Sequence, residues 1–238
     1  MISIPAIRDR VVQGALRLIL EPIFEADFSD SSYGARPGRS AHEAIEKVRV
    51  GLNQGRHRVV DVDLSRYFDT IRHDRILAKV AGRVVDSDVL AMVKQFLKST
   101  GDRGVPQGSP LSPLLANLAL NDLDHALDRG AGTITYARYL DDMVVLAADT
   151  PKGRQWADRA LERIRQEAEA IGVSLNAEKT RLVTITEPGA SFAFLGFEFR
   201  WERSSKTGTW YSWCTGARKH APAERTHNPD GRRLRGEP

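Results

Sequence analysis

Apolar residues in this chain follow two periods, and the switches between them mark its elements. In residues 4–20 they recur at Ile7, Val11, Ala15, Leu18 and Ile19, with Pro5 in the first turn, which predicts an amphipathic helix ended or kinked at Glu21-Pro22. Residues 29–40, rich in Ser, Gly and Pro, read as a loop. Ser40-Ala41-His42-Glu43 has capping-box spacing and opens a helix to about Leu52. The period then drops to two: Arg58-Val59-Val60-Asp61-Val62-Asp63-Leu64 alternates like a half-buried strand, and helical patterns resume over 69–79 and 86–97, broken near Gly82. Residues 101–113, with three glycines and three prolines, form a shaped loop feeding a helix that begins at Ser112-Pro113 and stops at Gly130. Two β-branched and aromatic runs, 134–139 and 143–146, flank a Leu140-Asp141-Asp142 tip and predict a tight hairpin. Thr150-Pro151 caps a long helix with Trp156, Ala160, Leu161, Ile164, Ala168 and Ile171 on one face, followed by strands at 173–175 and 181–186. Phe192, Phe194, Phe197 and Phe199 alternate about Leu195-Gly196 as a further hairpin would. From residue 58 the order is therefore strand, helices, hairpin, helix, strand, a βαββαβ split with the ferredoxin-like layout of an α+β fold.

Composition changes this picture little. The 238 residues carry a net charge of +4, but residues 201–238 hold 8 Lys and Arg against 4 Asp and Glu, leaving 27 of each in residues 1–200. Bulk charge is thus weak support for nucleic-acid binding, and the basic tail, rich in Gly, Pro, Arg and Ser, reads as disordered. A single cysteine, Cys214, excludes an internal disulfide and a Cys-based zinc site. No apolar run approaches the roughly 20 residues of a membrane span, and residues 1–10 lack a signal core, so the chain reads as soluble and cytoplasmic, with no membrane partner.

The candidate chemistry is acidic. Asp141 and Asp142 repel one another at the hairpin tip, and oxygen-only ligands of this kind select a hard cation such as Mg²⁺. Asp63 closes the first strand; if that strand pairs beside the hairpin, Asp63, Asp141 and Asp142 meet at one spot able to hold two Mg²⁺ roughly 3.5 to 4 Å apart, the arrangement of in-line phosphoryl displacement. The bland alternative is that Asp-Asp is turn chemistry. Arg36 and Arg39 beside a helix amino terminus suit a phosphate, although a solvated turn is the commoner reading of such a loop. Gln107 can donate to and accept from a base or sugar beside the flexible Gly108, although Gly/Pro loops commonly feed helices without function. Phe68 reads as a core aromatic, Lys179 as a surface lysine, and His73 as a capping or packing residue with no chemistry assigned.

Several of these segments resemble known boxes. Tyr139-Leu140-Asp141-Asp142 resembles the Y-x-D-D box of reverse transcriptases, and Asp63-Leu64-Ser65-Arg66-Tyr67-Phe68-Asp69 their first metal-binding box. Gly104-Val105-Pro106-Gln107-Gly108-Ser109-Pro110-Leu111-Ser112-Pro113 is similar to their P-Q-G-x-x-x-S-P segment. With Tyr33-Gly34-Ala35-Arg36-Pro37-Gly38-Arg39-Ser40 and Phe194-Leu195-Gly196-Phe197, the order resembles the bacterial group II intron type over residues 2–200.

That resemblance implies a partial fingers subdomain over 1–56 and a polymerase palm with its catalytic site over 57–200. It implies RNA-directed DNA synthesis from RNA template, DNA primer and deoxynucleoside triphosphates, with intron RNA as a further partner. Asp63, Asp141, Asp142 and the Leu64 carbonyl would hold the metals; Phe68, Gln107, Gly108 and Lys179 would meet the nucleotide. Arg36, Arg39, Tyr139, Leu195 and Gly196 would meet template or primer. The family's first fingers hairpin and helical thumb find no counterpart, so a truncated or frame-disrupted copy is the expectation. The rivals are an RNA-binding maturase-like protein and an inactive palm remnant; a cyclic-dinucleotide synthase is disfavoured because its Gly-Gly-acidic hairpin is absent.

Overall fold

A computed structural model describes residues 6–130, 132–203 and 210–216. The chain opens with two helices, α1 (Ile7–Glu25) and α2 (Ala41–Asn53). Strand β1 (Arg58–Ser65) follows, then α3 (Tyr67–Thr70), α4 (His73–Ala81), α5 (Ser87–Lys98) and α6 (Ser112–Asp128). The hairpin β2 (Ile134–Tyr139) and β3 (Asp142–Ala147) leads into α7 (Pro151–Ala170) and the short strands β4 (Ser174–Leu175) and β5 (Arg181–Thr184). A second sheet is built from β6 (Ser191–Phe194), β7 (Phe197–Arg203) and β8 (Trp210–Gly216).

In the main sheet the spatial order is β2-β3-β1-β4, with β5 also on β1, and all its pairings are antiparallel. This is the ferredoxin-like order expected from the βαββαβ pattern. Because side chains alternate along a strand, β1 sends Val60, Val62 and Leu64 to one face and Val59, Asp61 and Asp63 to the other. The first set joins a core with Leu115 and Ala119 of α6 and Ala157, Ala160 and Ile164 of α7. Val59 joins a smaller core with Ala44, Ile45 and Val48 of α2 and Phe192 and Phe199 of the second sheet. Both faces are covered over most of their length, and the uncovered part holds the aspartates.

Local signals held where they were chemical. Ser40 and Glu43 form the capping box that starts α2, and the Thr150 hydroxyl accepts from the Gly153 backbone at the start of α7. Two expectations need correction. The α1 stripe predicted to be buried faces outward, with Ile7 79% and Leu18 74% exposed, while Leu16, Leu20 and Phe24 pack into the larger core. Helix α1 carries apolar residues on most of its circumference, so periodicity could not choose the face, and the helix runs through Pro22 to Glu25. The tail reading also begins too early: β8 pairs with β7 from Phe197↔Gly216 to Arg203↔Trp210, so part of the expected tail is a strand. The β-prone Trp210-Tyr211-Ser212-Trp213-Cys214 run carried that signal, hidden among Gly, Arg and Pro. The first-turn Pro5, and the disorder expected for 217–238, lie outside the described residues. No helix among the described residues is long and apolar enough to cross a membrane.

Candidate active site

The register of the main sheet gathers the acidic residues. Asp63 pairs directly with Asp142 across β1 and β3, and Asp142 pairs with Tyr139 across the hairpin. Directly opposed residues have Cα atoms about 4.5–5.5 Å apart. Asp63 and Asp142 share the face left open by α6 and α7, with Asp141 one step earlier in the turn. Only Leu140 and Asp141 lie between the paired Tyr139 and Asp142, and Leu140 takes a left-handed φ of 57°. That region disfavours a branched side chain, so the turn is held by its surroundings.

Asp61 lies on the same face two residues before Asp63, and the sequence reading passed over it. Arg181 on β5 pairs with Asp61 at 3.1 Å, and Lys179 Nζ stands 3.3 Å from Asp63 Oδ1. A cleft of about 300 Å³ is lined by Asp61, Asp63, Asp142, Glu178, Lys179 and Arg181, with Ala193 and Phe194 of β6 as its apolar wall. Lys179, 116 residues beyond Asp63, is thus brought beside it. The Asp63 carbonyl accepts the Asn176 N–H at 2.9 Å. Carbonyls alternate in direction along an extended strand, so the Leu64 carbonyl turns to the opposite edge, toward the hairpin.

The carboxylates disturb one another. Burial pushes the Asp142 carboxyl up to about 6, reinforced by the charges of Asp141, Asp63 and Asp61 and partly offset by Lys179. Asp141 is raised first by burial and then by Asp63, against the lowering effect of its own N–H, Lys179 and Arg138. Asp61 is raised by burial, with Arg181 opposing. Four carboxylates offset by two cations make a site that favours an added hard cation, and oxygen donors of this kind fit Mg²⁺. Among the described residues, no three Asp, Glu, His or Cys side chains are already drawn into a metal-binding cluster. The residues fit such an ion by charge and donor type.

This electrostatic state has a measurable consequence. A carboxyl raised above its ordinary 3.8 stabilises the fold while protonated, and that contribution is lost as pH rises through about 6. Melting temperatures of the metal-free chain are expected to fall as pH rises from about 4 to about 6 and to level off above. Added Mg²⁺ should restore stability above that window and much less below it. Asp142→Asn should flatten the slope, and a metal-free profile as steep in the variant as in the parent would contradict this reading.

Two further boxes adjoin the first. Phe68 is half-buried against Tyr67, ring centroids 5.5 Å apart, and its carbonyl accepts the Val105 N–H at 2.7 Å. Gln107 is exposed and donates to Asp69 at 3.0 Å, and Gly108, also exposed, has a φ of 91° with open space beside it. The Gly104 position admits no Cβ, which would meet the Phe68 and Asp69 carbonyls at 2.8 Å. His73 bonds the Gly104 carbonyl at 2.7 Å, the packing role assigned to it. Leu195 and Gly196 form the β6–β7 turn with φ of 53° and 75°, the primed geometry of a two-residue hairpin. Tyr139 and Leu195 both pack against the smaller core.

Arg36 is corrected. Its side chain is buried and its guanidinium is taken up by Glu25 and by the carbonyls of Ser29 and Ser32, so it builds the 29–40 loop rather than presenting its fork to template. Glu43 already fills the α2 amino terminus, the other half of the expected phosphate site. Arg39 remains at the surface, paired with Asp30 and lying over the Tyr33 ring.

An antiparallel ferredoxin-like sheet backed by two helices, with carboxylates at the end of its first strand and at the hairpin turn beside it, defines the palm of a template-directed polymerase. The chain belongs to the reverse transcriptase (RNA-dependent DNA polymerase) family, whose profile matches residues 1–199, and within it to the group II intron type. It is 31% identical to protein YkfC of Escherichia coli over 85% of this chain and 64% of that protein. It is 35% identical to the group II intron-encoded protein LtrA of Lactococcus lactis over 52% of this chain and 22% of LtrA. The fold is similar to apo telomerase from Candida tropicalis, with a TM-score of 0.59 at 16% identity over 81% of this chain and 39% of that one. The chain thus spans less than two thirds of the length of these relatives.

Proposed function

We propose that the chain carries out RNA-templated DNA synthesis, extending a DNA primer with deoxynucleoside triphosphates. The observation that carries this reading is the register that sets Asp63 beside Asp142 with Asp141 in the adjoining turn. Two Mg²⁺ held by Asp63, Asp141, Asp142 and the Leu64 carbonyl would supply the positive charge that activates a primer hydroxyl and neutralises the leaving pyrophosphate. Lys179, 3.3 Å from Asp63, would add an exposed cation on the side where pyrophosphate departs. Gln107 and Gly108 offer an amide and an unobstructed backbone to the incoming nucleotide, and Phe68 screens its sugar. Tyr139, Leu195 and Gly196 lie toward the primer end, and Arg39 is the remaining candidate for template.

Poly(rA)/oligo(dT) with dTTP and Mg²⁺ tests the reading, with Asp141→Ala as control. Incorporation that the control abolishes supports it; equal background from both chains overturns it. A second reading, RNA binding without polymerisation, is favoured by 36% identity over 99 residues to nuclear intron maturase 1 of Arabidopsis thaliana. Under that reading intron RNA is retained on filters with a steep salt dependence and Asp141→Ala leaves retention unchanged.

Phe68 gives a sharper prediction. Phe68→Val should admit ribonucleotides, raising rUTP over dTTP incorporation on the order of tenfold, because a pocket wall has been removed where the 2′ hydroxyl would sit. Unchanged discrimination would leave Phe68 as a core aromatic only.

A further inference from the structure

Beneath the aspartates, on the face covered by α6, Arg138 is completely buried and so is its partner Asp124. Taking a guanidinium and a carboxylate out of water is costly, and apolar residues of similar volume often fill such a place with no loss of stability. Here every donor of the fork is used. Nε and Nη2 reach Asp124 at 2.7 and 2.5 Å, Nη2 also reaches the Ser32 hydroxyl at 2.8 Å, and Nη1 reaches Asn117 Oδ1 at 3.0 Å. The remaining Nη1 donor goes to the Leu140 carbonyl at 2.8 Å. That carbonyl belongs to the peptide joining Leu140, in its left-handed conformation, to Asp141.

The same network grips the turn from its other side. Asn117 donates to the Gly34 carbonyl at 2.7 Å, and Gly34 lies so close to the turn that an added Cβ would stand 2.5 Å from the Leu140 nitrogen. Tyr136 donates to Asp124 at 2.7 Å, completing the carboxylate's partners. Two segments far apart in sequence, 32–34 and the first half of α6, thus converge on the two peptides that flank Leu140.

We infer that Arg138, oriented by Asp124 and Asn117, is a positioning residue for the metal site: by holding the Leu140 carbonyl it fixes the peptide plane from which Asp141 and Asp142 project. Rigidity there matters because a hard cation demands close geometry from its ligands, and ligands free to swing bind it weakly. The inference rests on the polymerase reading for its catalytic consequence, but its direct consequence is metal affinity.

The test uses the full chain and Mn²⁺, a hard cation read by electron paramagnetic resonance without any turnover. Arg138→Lys keeps the charge and removes the fork, and Asn117→Ala removes one support of Arg138 and the link to Gly34. Val93→Ala, in the buried face of α5 away from the site, supplies a core lesion that lowers stability without touching the turn. Arg138→Lys is expected to weaken Mn²⁺ binding by about tenfold and Asn117→Ala by several-fold, while Val93→Ala leaves it unchanged. Where incorporation is measured, both site variants should raise the half-saturating Mg²⁺ concentration with little change in primer-template KM. Unchanged Mn²⁺ affinity in a folded Arg138→Lys overturns the inference; if that variant does not fold, unchanged affinity in Asn117→Ala does so, as does equal weakening by Val93→Ala. A parent chain that binds Mn²⁺ yet incorporates nothing overturns the polymerase reading alone.

Discussion

Asp63→Asn is expected to reduce templated dTTP incorporation by about 10³-fold or more, the scale on which loss of one preorganised electrostatic group at a reacting centre is felt. The residue is the only acid on β1 that opposes the hairpin's own pair, and Lys179 stands beside it. Asn keeps the shape and removes the charge, so the effect is not one of packing. The Asp63 side chain is only 26% exposed, but the change removes a charge that pushes Asp142 upward, so the melting temperature should hold or rise. Incorporation within a few-fold of the parent, at saturating Mg²⁺, would show that the three aspartates do not act together.

Asp124→Ala should produce the largest loss of stability of any single change near the site. It leaves the Arg138 guanidinium buried without a counter-ion and strips the Tyr136 hydroxyl of its acceptor. Breaking a buried pair in this way costs about 3–5 kcal/mol, which for a domain of this size lowers the midpoint by roughly 10 °C. Replacing both charges, as Arg138→Met with Asp124→Leu, should recover much of that loss, because no unpaired ion remains. Chemical denaturation of the three chains checks the ordering; a double variant as unstable as Asp124→Ala would mean that the network's hydrogen bonds to Ser32, Asn117 and Leu140, not its charges, carry the stability. Stability and metal affinity need not move together: the double variant regains the first and loses the grip on the Leu140 carbonyl.

The sheet and its active face were legible in the sequence because they rest on short-range rules. Alternation in Arg58-Val59-Val60-Asp61-Val62-Asp63 assigns each residue to a face, and the hairpin turn is marked by Leu140-Asp141 between two β-rich runs. Pairing β1 with β3 then follows from the ferredoxin-like order, and with it the meeting of Asp63 and Asp142. Arg36 was misjudged because a loop arginine offers no sign that Glu25, eleven residues away on α1, will take its charge. Asp61 was visible as a face-mate of Asp63, but its partner Arg181 lies 120 residues on. The Arg138 network was hidden for the same reason: its donors and acceptors come from three segments that only the tertiary fold brings together. The buried side of α1 was undecidable from a helix apolar around most of its girth.

The central claim is that Asp63, Asp141 and Asp142 share bound divalent ions. Anomalous diffraction from crystals of the chain grown with Mn²⁺ tests it most directly. The account predicts a peak at coordination distance from carboxylate oxygens of both β1 and the β2–β3 turn, with Asp63 as a common ligand. Manganese bound by one of these segments alone, or absent from the cleft while the turn is ordered, would contradict it.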